Sequence, residues 1–135
     1  MNTCDILILA AGLGSRLGDL TNNEPKSLLE INGCSILGRN INILETCNIG
    51  RIFIAVGFQG EKIEEKFSSR ATILSVKNYN IFNNLHTVGQ VSHHFKNDLI
   101  IMFADVLYDK EIINALLGSI EPITMAVDLS SVRPD

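Results

Sequence analysis

Ile6–Leu17 reads ILILAAGLGSRL and joins an unbroken apolar run to a glycine-rich turn. The apolar run predicts a strand that is buried on both faces, which is typical of parallel α/β sheets. Gly12 and Gly14 allow the backbone to turn sharply and to approach a ligand without a Cβ in the way. Unpaired N–H groups in such a turn form a concave anion site, and the cationic side chains of Arg16 and Lys26 would reinforce it. The stretch therefore predicts a phosphate-binding connection directly after the first strand.

Two other phosphate-binding motifs fail on spacing. The dinucleotide fingerprint G-x-G-x-x-G requires glycine where Leu17 stands, and residues 56–59 (VGFQ) lack the acid expected after the second strand. A Walker A loop requires glycine before the lysine and the hydroxyl residue, whereas Pro25 precedes Lys26 here. The glycine turn is thus neither a dinucleotide fingerprint nor a Walker A loop.

A longer ordered pattern does match. The chain resembles the sugar nucleotidyltransferases, whose signature is L-x-A-G-x-G-x-R-L, a short loop and then P-K-x-L-x-x-I-x-G. The two parts stand at Leu9–Leu17 and Pro25–Gly33. Within this NTP transferase superfamily the chain is most similar to bacterial cholinephosphate cytidylyltransferases and MobA-like enzymes. The resemblance runs from about Asp5 to Asp128. It implies transfer of a nucleotidyl group from an NTP to a phosphorylated small molecule, with release of pyrophosphate.

Composition limits the remaining function classes. The 135 residues suffice for one core, so residues 1–135 are taken as the nucleotide-binding part of a nucleotidyltransferase domain. A net charge of -4 gives no general attraction to nucleic acid. The three cysteines lack C-x-x-C spacing, which disfavours a zinc site or a disulfide framework. No apolar run could span a bilayer and no cleavable leader is apparent, so we expect a cytoplasmic protein without membrane insertion.

Strand and helix patterns alternate along the chain. Strands are expected at Asp5–Ala10, Arg51–Val56, Ala71–Val76, Leu99–Phe103 and Ile123–Val127. Helices are expected at Ser35–Cys47, Gln59–Phe67, Asn84–Phe95 and Lys110–Leu117. This order predicts an α/β fold: a doubly wound, mostly parallel sheet with helices on both faces and ligands at the carboxyl ends of the strands. The resemblance adds a Rossmann-like nucleotidyltransferase fold, which we expect to be C-terminally incomplete because family members are longer and carry a second metal-binding aspartate farther on. The alternative is a naturally short protein.

The strand expected at Leu99–Phe103 runs into Ala104 and Asp105. In the family that the chain resembles, this strand ends in an aspartate that holds a catalytic Mg²⁺, usually after a glycine. Asp105 is the matching residue, and Ala104 replaces the glycine. Mg²⁺ commonly uses one or two carboxylates together with phosphate oxygens and waters, so a metal role is chemically sound. The alternative is an aspartate that caps the turn before the helix at Lys110.

A further segment, Tyr79–Val88, resembles the Y-x-x-x-N-N-x-x-S-L element of the bacterial cholinephosphate cytidylyltransferases. Thr87 replaces the usual serine and keeps a hydroxyl group. The resemblance implies that Asn83, Asn84 and Thr87 lie beside the nucleotide, where amides and a hydroxyl can read a pyrimidine or orient a ribose. The alternative is N-capping of the next helix by one of the asparagines, and both roles can hold together.

The resemblance also assigns roles to individual residues. Arg16 and Lys26 are the catalytic pair, which holds the phosphates and offsets negative charge developing in the transition state. The remaining nucleotide-binding positions are in the first strand and its turn: Leu9, Ala10, Ala11, Gly12, Leu13 and Gly14. Mg²⁺ is the expected cofactor, with Asp105 as its ligand. The attacking phosphate oxygen is ionised near neutral pH, so no general base is required.

Three functions remain open on the sequence alone. The first is a cytidylyltransferase that uses CTP and phosphocholine or a similar phosphorylated alcohol, sugar or phosphonate, as in the biosynthesis of cell-surface polysaccharides. The second is a sugar-1-phosphate or molybdopterin nucleotidyltransferase. The third is a nucleotide-binding module without catalysis. The expected partners are an NTP and a small phosphorylated substrate, and a homodimer is left open.

Overall fold

The apolar run near the start of the chain is a strand in the computed structural model, which describes residues 3–12, 24–81 and 83–128. Six strands occur within these ranges: β1 (Asp5–Ala10), β2 (Glu30–Ile31), β3 (Cys34–Ser35), β4 (Ile52–Val56), β5 (Thr72–Ser75) and β6 (Leu99–Phe103). The α-helices there are α1 (Ile36–Leu44), α2 (Gly60–Phe67), α3 (Asn84–Val91) and α4 (Lys110–Leu117). Short 3₁₀ turns lie at Lys26–Leu28 and Ser92–His94.

The main sheet contains four parallel strands in the order β5-β4-β1-β6. β1 lies inside the sheet, with Ile8 opposite Ile54 of β4 on one side and opposite Met102 of β6 on the other. Because neighbouring strands and packed helices cover it, residues 6–8 have no exposed surface. The expectation of a first strand buried on both faces is confirmed.

Two apolar layers enclose the sheet. Alternate residues of β1 point to opposite faces, so that Ile6 and Ile8 contact one layer while Leu7 and Leu9 contact the other. The first layer contains the apolar faces of α1, α2 and α4, and the second contains Val88 and Val91 of α3. Helices therefore lie on both faces of a parallel sheet, as the alternation of patterns predicted.

Ser35 caps the start of α1, as predicted. It has extended backbone geometry, and its Oγ accepts a hydrogen bond from the Gly38 N–H at 3.0 Å. The helix ends at Leu44, before the expected boundary at Cys47. The Thr46 and Cys47 N–H groups instead bond three residues back, to Ile43 and Leu44, because the chain tightens out of α-helical geometry there.

Replacing Ser35 with alanine should lower the free energy of unfolding by about 1 kcal/mol, since one N–H group at the start of α1 loses its acceptor. Urea unfolding followed by circular dichroism measures the change. Ser69→Ala is the matched control, because Ser69 is exposed in the turn after α2. An equal effect of the two substitutions would contradict the capping role of Ser35.

The helix predicted over Asn84–Phe95 is shorter than expected. α3 stops at Val91, and Ser92–His94 continues as a 3₁₀ turn. Gly89 weakens the last turn of the α-helix, and the Ser92 hydroxyl donates a hydrogen bond to the Gly89 carbonyl at 3.0 Å. The helices predicted at Gln59–Phe67 and Lys110–Leu117 and the first four predicted strands are confirmed to within one residue at each end.

The predicted strand at Ile123–Val127 is wrong. These residues are described and form no strand, and Ile123 and Met125 are 90% and 79% exposed. Alternating β-branched and long apolar residues favour extended backbone, but a strand is stable only when its N–H and C=O groups pair with a neighbour. Within the described residues, the sheet order ends at β6 and no strand pairs with the backbone of residues 123–127.

A small hairpin that the sequence analysis did not predict lies between β1 and α1. β2 and β3 pair antiparallel, and Asn32 and Gly33 connect them with φ angles of 53° and 78°. The Asn-Gly dipeptide is the sequence feature that favours such a turn, because both central residues need positive φ. The Ile36 N–H bonds to the Leu29 carbonyl at 3.2 Å and joins the hairpin to the start of α1.

Candidate active site

The carboxyl ends of β1 and β6 meet at one edge of the sheet. β1 continues into Ala11 and Gly12, and β6 continues into Ala104 and Asp105. The Ala104 N–H donates to the Leu9 carbonyl at 3.0 Å, which extends the ladder one residue beyond β6. Asp105 is therefore placed beside the residues that follow β1, at the edge where parallel α/β sheets bind ligands.

Lys26 reaches this edge from the segment before the hairpin. Its Nζ donates to Asp105 Oδ2 at 2.8 Å, although the two residues are 79 positions apart in the sequence. Their side chains are 37% and 42% exposed, so the pair is screened by water and contributes at most about 1 kcal/mol to stability. The contact matters for its place: it brings a flexible ammonium group to the carboxylate at the end of β6.

A short 3₁₀ turn anchors Lys26. Pro25 precedes the turn with φ of -56°, and the Leu28 N–H bonds to the Pro25 carbonyl at 2.9 Å. Leu28 has no exposed surface and belongs to the same apolar layer as α1. Because Leu28 is fixed in the core, the start of the turn and its lysine are held at the edge of the sheet.

Asp105 is not the cap of the following helix. The residue at the N-cap position of α4 is Asp109, and its side chain makes no capping hydrogen bond. The alternative that Asp105 caps the turn before Lys110 is therefore wrong. Its carboxylate instead bonds to Lys26. Within the described residues, no group of three or more His, Cys, Asp or Glu side chains comes together in a way that could hold a metal.

Asn83 does cap α3. Its Oδ1 accepts a hydrogen bond from the His86 N–H at 3.2 Å, and its carbonyl accepts from the Thr87 N–H at 3.2 Å. Thr87 is buried and its hydroxyl donates to the same carbonyl at 3.5 Å, whereas Asn84 is exposed at the first position of the helix. The capping interpretation is confirmed for Asn83, and the nucleotide-binding roles of Asn83, Asn84 and Thr87 stay predictions.

An open depression of about 780 Å³ lies along the exposed side of α3. Its lining residues come from α3 and the segment before it: Ile81, Asn83, Leu85, His86, Gly89 and Gln90. A second depression, of about 500 Å³, lies at the amino ends of β4 and β5 and is lined by residues such as Arg51 and Thr72. It faces away from the carboxyl edge, so only the first is suitably placed to extend the candidate site.

Tyr79 links the segment before α3 to the carboxyl edge. A Cβ added to Gly57 would collide with the Tyr79 ring and would stand 2.8 Å from the Ala11 carbonyl oxygen. The ring therefore lies over the end of β4, beside the residues that follow β1. The sequence analysis missed Gly57, because a glycine after a strand is most often a turn residue.

Gly57→Ala should lower the free energy of unfolding by about 1–3 kcal/mol, because the new methyl group forces the Tyr79 ring or the Ala11 backbone to move. Thermal unfolding measures the loss. Gly89→Ala is the control: no atom of the part of the chain that the structure describes lies within 4 Å of its added Cβ, and alanine favours the helix, so stability should stay equal or rise. Equal stability of Gly57→Ala and the unsubstituted protein would contradict the close approach.

Three of the residues predicted for the site, Leu13, Gly14 and Arg16, lie outside the described residues. Of the others, Leu9, Ala10, Ala11 and Gly12 follow one another at the end of β1, and the first three are buried. Lys26 and Asp105 are in contact beside them. The structure thus brings the predicted phosphate and metal residues of the described ranges to one edge, and their roles remain predictions.

Residues 6–131 match the family model of the MobA-like NTP transferase domain. The chain belongs to this family. Choline-phosphate cytidylyltransferase of Haemophilus influenzae is 36% identical to this MobA-like domain over 107 residues, which are 78% of this chain and 46% of that protein. CTP:phosphoglutamine cytidylyltransferase of Campylobacter jejuni is 29% identical over 133 residues, 92% of this chain and 52% of that protein. The resemblance drawn from the sequence motifs is confirmed.

Solved structures agree with this family. A CTP:phosphocholine cytidylyltransferase from Streptococcus pneumoniae matches with a TM-score of 0.65 and 30% identity, covering 78% of this MobA-like domain and 46% of that chain. The inositol-1-phosphate CTP transferase from T. maritima has the same fold, with a TM-score of 0.70 at 18% identity over 86% of this chain and 49% of that chain. The predicted Rossmann-like nucleotidyltransferase fold is confirmed.

The MobA-like domain spans about half the length of these relatives. None of the helices within the described ranges is long and apolar enough to cross a membrane. The two curated relatives named here are cytidylyltransferases.

Proposed function

We propose that this MobA-like domain transfers a nucleotidyl group from an NTP, with CTP preferred, to a small phosphorylated molecule. Phosphocholine or a sugar phosphate is the proposed acceptor, and pyrophosphate is the second product. The observation that supports the proposal most directly is the Lys26–Asp105 contact of 2.8 Å at the carboxyl ends of β1 and β6. It places a cation and a carboxylate side by side at the end of the glycine-rich strand.

The reaction exchanges one phosphorus–oxygen bond for another. A phosphate oxygen of the acceptor forms a bond to the α-phosphorus as the bond from that phosphorus to the bridging oxygen of the leaving pyrophosphate breaks. The attacking oxygen is already anionic near neutral pH, so the side chains need only align the two substrates and offset negative charge. Lys26, with Arg16 outside the described residues, is proposed to hold the phosphates and to stabilise the charge that develops there.

Small side chains make room for the nucleotide at the strand end. Ala10 and Ala11 are buried where β1 finishes, and no atom of the described residues lies within 4 Å of a Cβ built on Gly12. A base or ribose can therefore approach the backbone beside Gly12 without steric conflict. Exposed Asn84 is the side chain of the α3 segment that is proposed to contact the base or ribose, with Asn83 and Thr87 beside it.

Asp105 is the proposed ligand of Mg²⁺. Mg²⁺ keeps several waters and takes only one or two carboxylates beside substrate phosphates, and a single half-exposed aspartate at a phosphate-binding edge fits that donor set. When bound, the ion would neutralise phosphate charge and help orient the reacting groups. Lys26 already contacts Asp105 Oδ2, so it would shift from the carboxylate toward the phosphates as the cation is bound.

Preference for CTP is supported by those relatives that are named as cytidylyltransferases. The two curated relatives described above are both named as cytidylyltransferases, for choline phosphate and for phosphoglutamine. The solved relative at 30% identity is likewise a phosphocholine cytidylyltransferase. These names favour CTP over other nucleotides, and a phosphate monoester as the group shared by the acceptors.

A screen of pyrophosphate release tests the proposal. The full chain is mixed with Mg²⁺, each of the four common NTPs, and phosphocholine or one of several sugar-1-phosphates. We expect release with CTP and phosphocholine or a related phosphate monoester. Release only with a sugar-1-phosphate and another NTP would favour the sugar nucleotidyltransferase alternative. CTP binding without release for any acceptor would support a nucleotide-binding module, and no binding of any NTP would refute the proposal.

A further inference from the structure

α1 carries a buried polar side chain on its core-facing side. Asn40 is 1% exposed and lies between residues such as Leu37 and Leu44, which have no exposed surface. A buried amide is unfavourable unless both its donor and its acceptor find partners. An apolar side chain would fill this position with less cost if packing were its only role. The hydrogen-bond partners of Asn40 therefore show which part of the molecule its amide holds.

Both partners of Asn40 lie in the loop that carries Asp105. Its Nδ2 donates to the Val106 carbonyl at 2.8 Å, one residue after Asp105. Its Oδ1 accepts from the Tyr108 N–H at the longer distance of 3.5 Å. These bonds replace part of the regular pairing that the backbone loses where β6 ends, and they tie the loop to a rigid helix.

Further contacts hold the same loop. Arg39, the neighbour of Asn40, donates from Nη1 to the Tyr108 carbonyl at 2.7 Å and pairs through Nη2 with Asp109 at 3.1 Å. The Tyr108 hydroxyl accepts from the Phe103 N–H at 3.0 Å. On the other side of Asp105, the Ala104 N–H remains bonded to β1. The backbone is therefore fixed immediately before and immediately after Asp105.

We propose that Asn40 is a positioning residue for Asp105: its buried amide holds the loop so that the carboxylate stays directed at the phosphate-binding edge. Arg39 supports the same loop from the surface. The inference rests on the proposed function for its consequence, which is tighter binding of a divalent cation together with CTP. A residue that orients a metal ligand typically changes metal affinity by about 10- to 100-fold when it is lost.

The test compares Asn40→Leu with Ile63→Val. Leucine keeps the branching and the number of side-chain heavy atoms of asparagine but removes both hydrogen bonds, and Ile63→Val makes a small defect in the same apolar layer away from the loop. Arg39→Met is the second variant, since Arg39 is partly exposed and its loss should leave the fold intact. The first readout is amide hydrogen exchange of residues 103–109, expected to be about 10-fold faster in Asn40→Leu and unchanged in Ile63→Val.

The second readout is affinity for Mn²⁺ in the presence of CTP, measured by electron paramagnetic resonance. We expect Asn40→Leu to bind Mn²⁺ about 10-fold more weakly, Arg39→Met to weaken it in the same direction, and CTP affinity without metal to stay unchanged. Unchanged exchange or unchanged Mn²⁺ affinity in Asn40→Leu overturns the inference. If the unsubstituted chain binds no Mn²⁺ with CTP, the proposed function fails instead, and the exchange measurement still decides whether Asn40 holds the loop.

Discussion

Replacing Lys26 with alanine is expected to lower kcat for pyrophosphate release by about 100- to 1,000-fold, the range for loss of one group that stabilises transition-state charge. Within the described residues, the Lys26 ammonium group is the cation that contacts Asp105. Alanine removes this positive charge, so the negative charge that develops on the phosphates is no longer offset there. The fold should be retained, because the Lys26 side chain is 37% exposed and Leu28 anchors the turn. Initial rates at saturating CTP and Mg²⁺ measure the effect.

Lys66→Ala is a close control for this substitution. Lys66 is also a half-exposed lysine in an ion pair, at 3.5 Å from Glu24, which stands two residues before Lys26. Lys66→Ala removes the same charge from the chain, but Lys66 lies on α2 and its ion-pair partner is Glu24, not Asp105. We expect its rate to remain within about twofold of the unsubstituted protein. Similar losses in both variants would mean that net charge, and not the position of Lys26, sets the rate.

The fold could be predicted where the sequence pattern and the tertiary environment agree. The runs that form β1 and β4 are continuous and apolar, and the inside of the sheet buries strands of that kind on both faces. The run that forms β6 is equally apolar, but β6 ends the described strand order and buries only one of its faces. The segment at 123–127 has a comparable pattern, yet it forms no strand, because pairing depends on a neighbour that no local pattern reveals. The β2–β3 hairpin does have a local sequence signal, since the Asn32-Gly33 dipeptide favours the positive φ angles of a two-residue turn.

Some residues of the candidate site could likewise be predicted from the sequence, and others could not. Lys26 and Asp105 were identified from ordered motifs, and the structure places them in contact although they are distant in sequence. Asn40 and Gly57 were missed, because an asparagine inside a helix and a glycine after a strand have many ordinary explanations. Only the three-dimensional contacts with the Asp105 loop and with the Tyr79 ring distinguish them.

The Lys26–Asp105 contact also shows that both charged groups stand at the edge of the sheet without any substrate. At most about 1 kcal/mol stabilises a half-exposed pair, so Lys26 would leave the carboxylate readily if Asp105 held a cation. The carboxylate is kept in place by the loop and the ammonium group by the 3₁₀ turn, so both are available at the edge before substrates arrive. Such preorganisation lowers the reorganisation needed during the reaction.

Asp105→Asn is expected to weaken Mg²⁺-dependent pyrophosphate release by at least about 100-fold, more than the effect of losing a residue that merely orients a ligand. Asparagine has nearly the same shape and leaves the loop bonds of Asn40 in place, but it removes the negative charge that the cation requires. The measurement is the rate as a function of Mg²⁺ concentration at fixed CTP. Asp98→Asn is the matched control, since Asp98 is exposed directly before β6, at the opposite end of that strand from Asp105. If both variants kept the same dependence on Mg²⁺ as the unsubstituted protein, Asp105 would not be the metal ligand, and the edge would have to bind phosphate through its cations and backbone alone.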